Sequence, residues 1–153
     1  MLPELDNLLS QTGKRILFTG IGNVLKSDDG AGVYISQRIK QKDNIRAITV
    51  EVSIENYIGK INSLKPDILV LIDCVEMGLP PGSCRLLQLN EIQDLTFNTH
   101  NISLKRLSDF FQSDIYILAI QPLTVVFGEK ISYIVTKTAD EIVEQINNYK
   151  SNK

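Results

Sequence analysis

Apolar residues follow two spacings that alternate along the chain. Short runs rich in Ile, Val and Leu, bounded by polar or turn residues, stand at 15–19 (RILFT), 45–52, 68–72 and 115–120. Their length and β-branched content predict buried strands. Between them apolar residues recur at helical intervals. Val33, Ile35 and Ile39 mix with Gln37, Arg38, Lys40 and Gln41 across 32–42. Ile54, Tyr57, Ile58, Ile61 and Leu64 follow Ser53, a residue suited to an N-cap, and the run stops before Pro66. Leu104, Leu107, Phe110 and Phe111 predict a third helix. Ile134, Val135, Ala139, Ile142, Val143 and Ile146 predict a fourth, with Ser132 as its cap. The β-branched residues of 131–136 would also suit a strand, but the longer period favours helix.

One further strand, 85–89, follows a break at Gly78, Pro80, Pro81 and Gly82. That break is too short for a crossover helix, so the strand is expected to run antiparallel at an edge. The order β-α-β-α-β-β-α-β-α then predicts a single α/β domain over 1–153. Its core is a twisted, mostly parallel five-stranded sheet with helices on both faces and one antiparallel edge strand. Ligands of such folds sit beyond the carboxyl ends of the strands, so the loops there decide the chemistry.

Charge and composition narrow the classes. Sixteen Lys and Arg oppose 18 Asp and Glu, a formal charge of −2. There is no cationic surplus for nucleic acid. The purely apolar runs are short and a bilayer span needs about 20 residues, so no membrane span is expected. The first residues, MLPELDNLLSQTGKR, carry Glu4 and Asp6 and lack the basic start and apolar core of a secretion signal. Cys74 and Cys84 cannot make a disulfide framework, which points to a reduced, cytoplasmic setting.

Three loops carry candidate chemistry. The first strand runs into Gly20-Ile21-Gly22-Asn23-Val24-Leu25-Lys26-Ser27-Asp28-Asp29-Gly30-Ala31-Gly32. Its G-x-G hints at a dinucleotide site, but Leu25 stands where the third glycine belongs, and Asp28 and Asp29 would repel a pyrophosphate at the helix start. One of the two acids suffices as a helix cap, which leaves the other for different work. The third strand ends on Asp73 and Cys74, where the acid is either a turn former or a ligand. His100, the chain's only histidine, lies in Asn98-Thr99-His100-Asn101 before a helix that leads to another parallel strand. Topology thus puts Asp29, Asp73 and His100 on one rim. Two carboxylates and an imidazole suit a divalent transition ion such as Zn, Ni, Mn or Fe, and an open site of that kind favours hydrolysis.

Four segments, GIGNVLKSDDGAG at 20–32, IENY at 54–57, LVLIDCVEMG at 69–78, and THNISL at 99–104 with AIQP at 119–122, resemble the hydrogenase maturation endopeptidases. THN followed by IQP is most similar to the branch serving the formate-hydrogenlyase type of hydrogenase. The likeness runs from about Lys14 to Tyr149, which sets 1–13 apart as an N-terminal extension of a protease fold at 14–149. It implies that Asp29, Asp73 and His100 are the metal-binding residues, and that the metal is nickel carried by a hydrogenase large-subunit precursor or another divalent transition ion. The reaction it implies is a single cut that removes a C-terminal extension from the nickel-loaded precursor. Gly22, Asn23, Asp28, Glu55 and Thr99 become candidates for loops that meet the substrate, and Asp28, Glu51 and Glu76 candidates for a general base. Glu51-Val52-Ser53-Ile54 replaces an acidic-glycine turn common in the family, and Ser103 stands where proline is frequent. Two alternatives predict different behaviour. A generic metal-dependent amide hydrolase would keep a tightly bound resident ion, and a non-catalytic nucleotide- or ion-binding module would cut nothing.

Overall fold

The computed structural model describes residues 2–11, 13–89, 98–99, 102–103, 106 and 108–150. Five strands, β1 (Ile16–Ile21), β2 (Ile45–Glu51), β3 (Ile68–Cys74), β4 (Cys84–Gln88) and, after a short hairpin of β5 (Asn98–Thr99) and β6 (Ile102–Ser103), β7 (Asp114–Ile120), build one sheet in the order β2-β1-β3-β7-β4. The pairs β1–β2, β1–β3 and β3–β7 are parallel. Only β4 runs the other way, along β7 at the edge, with Leu86 opposite Leu118. The mostly parallel sheet and its antiparallel edge are therefore as the sequence pattern predicts.

The central strands β1 and β3 are buried along almost their whole length because both faces of the sheet are covered. One face carries Ile16, Phe18, Val70, Ile72, Leu118 and Ile120. Helices α1 (Pro3–Leu9), α2 (Ala31–Ser36) and α4 (Tyr133–Asn148) close over it with Leu5, Leu8, Ile35, Val135, Ala139 and Ile142. The other face carries Leu17, Ile21, Leu69, Leu71, Ile115 and Ile117. A 3-10 turn at Ile54–Tyr57 and α3 (Ile58–Leu64) cover it with Ile54 and Ile61.

Local differences from the pattern have local causes. The segment 32–42 stays helical only to Ser36, and Ile39 reaches the core from beyond the helix end. Ser53 precedes the 3-10 turn but makes no side-chain cap. Ser132 does precede α4, yet its hydroxyl bonds outside its own helix. Leu104 and Leu107 of the expected third helix lie outside the described residues, while Phe111 is buried against α3's face of the sheet. The acidic start of the chain holds α1, whose Leu5, Leu8 and Leu9 share one stripe and are fully buried. Gln145 of α4 fastens it, accepting from Leu2 N–H at 3.1 Å and donating to Leu2 O at 2.6 Å and Asp6 Oδ1 at 3.0 Å.

Candidate active site

The site begins where β1 and β3 end side by side. Gly32, at the start of α2, lies against them so closely that a Cβ there would overlap the carbonyl oxygens of Ile21 and Ile72. Only glycine lets the helix approach the strand ends this far. Gly22 has φ +146°, and a Cβ on it would overlap Asp29 O. The two glycines therefore press the 3-10 turn at Ser27–Gly30 onto the carboxyl rim of the sheet.

Asp29 sits half-buried on that turn, and one of its oxygens, Oδ2, accepts Asn23 N–H at 2.9 Å. Asn23 in turn accepts Leu25 N–H on its own Oδ1 at 2.9 Å, so the loop between the glycines is closed by its own side chains. Asp73 lies inside β3, one strand position beyond the apolar run, and pairs with Ala119 of β7. It is no turn former. Asp73 is 2% exposed, and its carboxylate accepts Cys74 N–H at 2.8 Å. The Cys74 thiol reports on both acids. Burial pushes its pKa up, and the negative charges of Asp29, Asp73, Asp28 and Glu76 push it further in the same direction. Asp29 and Asp73 thus act on a single sulfur at the end of the central strand. The same field keeps Cys74 protonated and unfit as a nucleophile.

Asp28, the other acid of the pair, has a different environment. It is fully buried and receives four donors: Leu123 N–H at 2.8 Å, Thr124 N–H at 3.1 Å, Ser132 N–H at 2.7 Å and Ser132 Oγ–H at 2.9 Å. Four donors fill the acceptor sites of one carboxylate. Asp28 ties the Asp29 turn to the segment between β7 and α4, and it is not placed to take a proton from water. Ser27 strengthens the tie. Its N–H donates to Gly128 O at 2.6 Å and its hydroxyl to Val126 O at 2.7 Å, while its φ of +52° marks a strained turn.

The other candidates are more peripheral. Glu51 is exposed with φ +55°, and its carbonyl accepts Gly22 N–H at 3.0 Å. Glu55 is exposed on the 54–57 turn. Glu76 is exposed and accepts Gly78 N–H at 3.1 Å. Thr99 pairs with Ile102 across the β5–β6 hairpin. His100 lies outside the described residues, and among the described residues no three His, Cys, Asp or Glu side chains gather as a metal site.

Two structural residues escape the pattern reading. Gln121, buried directly after β7, accepts Met77 N–H at 2.6 Å and so positions the loop leaving Asp73. Its signal was the polar residue that follows an apolar strand within AIQP. The spacing marks Ser132 as a helix start, but no local signal names Asp28, 104 positions away, as its partner.

The family model of the HycI hydrogenase maturation proteases matches residues 32–149. The chain belongs to the hydrogenase maturation protease family. It is a maturation endopeptidase of the HycI type, and the matched stretch includes Asp73 and His100 while Asp29 precedes it. The hydrogenase 3 maturation protease of Escherichia coli K12 is 29% identical over 138 residues, covering 86% of this chain and 88% of that relative. The crystal structure of the [NiFe] hydrogenase maturation protease HycI from Thermococcus kodakarensis superposes with a TM-score of 0.81 at 26% identity, covering 94% and 96% of the two chains. The solution structure of the Escherichia coli endopeptidase HycI gives 0.73 at 26% identity over 90% and 92%. No helix among the described residues is long and apolar enough to cross a membrane.

Proposed function

We propose that this maturation endopeptidase removes the C-terminal extension of a hydrogenase large-subunit precursor once nickel has been installed, and that Asp29, Asp73 and His100 read the nickel. The observation that carries the reading is the buried carboxylate of Asp73 on the central strand, acting with Asp29 on one sulfur. Two carboxylates whose charges converge on one sulfur at the end of the central strand create a local negative field that favours a cation. A precursor arriving with its own nickel supplies such a cation. Two oxygen ligands and an imidazole suit that ion and leave coordination positions for the precursor's own ligands.

The ion is substrate, so the enzyme alone should hold it weakly; a permanently filled site could not sense loading. Engagement of the nickel fixes the scissile bond against the rim, and that positioning lowers the barrier to attack by water. The proton released by the attacking water passes to a rim carboxylate. Asp28 is already saturated with donors, which leaves Glu51 and Glu76 as the acids to compare.

The test is cleavage of nickel-loaded and nickel-free precursor by wild type and His100→Ala. Wild type is expected to cut only the loaded form, and His100→Ala to lose activity by roughly 100-fold or more, since even residues supporting a ligand are worth 10–100-fold. Equal cutting of nickel-free precursor, or a metal that survives chelation and dialysis of the enzyme alone, would refute the reading.

A further inference from the structure

The segment that Asp28 ties to the Asp29 turn exposes apolar side chains. Leu123 is 59% exposed, Val125 48%, Val126 67% and Phe127 84%. The neighbouring loop adds Val24 and Leu25, and the two segments are joined directly, Gly128 N–H donating to Leu25 O at 2.7 Å. From Gln121 to Gly128 there is no charged residue. The exposure is not a loose loop's. The segment is pinned by its bonds to Asp28, by both bonds from Ser27 and by Gly82 N–H to Gln121 O at 2.9 Å. A contiguous apolar surface held in one conformation marks an interaction site.

We infer that this Leu123–Phe127 ridge, with Val24 and Leu25, is the docking surface for an uncharged, apolar stretch of the precursor polypeptide flanking its metal centre. The inference rests on the proposed function and extends it to substrate selection. Continuity sets the occupant: the ridge is hydrogen-bonded through Ser27 and Asp28 to the turn that carries Asp29, so it adjoins the place where a polypeptide would present its metal to Asp29 and Asp73. Size argues against a second copy of this chain. Six partly exposed side chains offer on the order of several hundred Å², short of the roughly 800 Å² that a stable association takes from each partner. A transient enzyme–substrate encounter needs less.

The experiment compares wild type with Val126→Ser/Phe127→Ser on the nickel-loaded large-subunit precursor of the source organism, with sedimentation and thermal unfolding run in parallel. Both positions project into solvent, so the variant should unfold at the wild-type temperature. The expected result is a KM raised at least tenfold with kcat within twofold. Unchanged KM, or a wild-type dimer that the two serines dissociate, overturns the docking assignment and leaves the metal reading standing. Asp73→Asn serves as the control in the other direction. Should it cleave at the wild-type rate, the metal reading fails, whatever the ridge does.

Discussion

At the scale of single residues, the adjacent acids Asp28 and Asp29 have diverged in use. Asp29 reaches the rim half-exposed, whereas Asp28 is sealed beneath four donors. Replacing it with alanine would remove the acceptor of four part-buried bonds, and each fully buried donor left unsatisfied costs about 1–3 kcal/mol. We expect Asp28→Ala to lower unfolding free energy by about 3–5 kcal/mol, the usual cost of breaking a buried charged network. Urea titration checks this. A shift under 1 kcal/mol would mean that the bonds are not formed in solution. The division of labour between the two acids was only half visible in the chain. The sequence offers one acid as a helix cap, but neither the 3-10 turn nor α2 has a side-chain cap, and the donors to Asp28 come from Leu123, Thr124 and Ser132, positions that no periodicity connects.

At the scale of elements, the strands were legible because burial on both faces demands unbroken apolar runs. Only β1 and β3 run past the apolar pattern at the carboxyl end: β1 goes on through Gly20 to Ile21 and β3 through Asp73 to Cys74, where function and close packing replace apolar side chains. The helices were less legible. Their stripes are short, and α1 hides three leucines among acidic neighbours. The contact between α2 and the strand ends gives a direct prediction. Gly32→Ala has to push the helix away from two backbone oxygens that cannot yield. Overpacking of this sort costs about 1–3 kcal/mol, and because the Asp29 turn moves with α2, precursor cleavage should fall more steeply than stability does. A thermal melt together with an endpoint cleavage assay separates the two. Normal activity with normal stability would show that α2 has room to spare.

At the scale of the whole molecule, two thiols tie the fold's stability to alkaline pH. Burial pushes Cys84 up from 9.0 to about 12, and Cys74 is raised by burial and by the surrounding carboxylates. Both groups ionise more readily in the unfolded chain. Their contribution is intact below pH 9 and is lost as pH climbs from 9 through the folded-state values, with a slope of up to about 1.4 kcal/mol per pH unit for Cys84. Melting temperature should therefore drop between pH 9 and 12 in wild type and drop less in Cys74→Ser/Cys84→Ser. The double variant should still cleave precursor at pH 7, because neither thiol is a nucleophile; a dead double variant would overturn that assignment.

The placement of α4 also has a consequence for synthesis on the ribosome. Val135, Ala139, Ile142 and Ile146 complete one face of the sheet, Ser132 supplies two of Asp28's donors, and Lys42 Nζ reaches the carbonyls of Asn147 and Tyr149 at 3.1 and 2.9 Å. A nascent chain that has not yet released residues 132–149 from the exit tunnel therefore has one sheet face open and an Asp29 turn that lacks the two Ser132 bonds to Asp28. A product cut short before Ser132 is therefore expected to be inert toward hydrogenase precursors, which a cleavage assay on such a truncation checks.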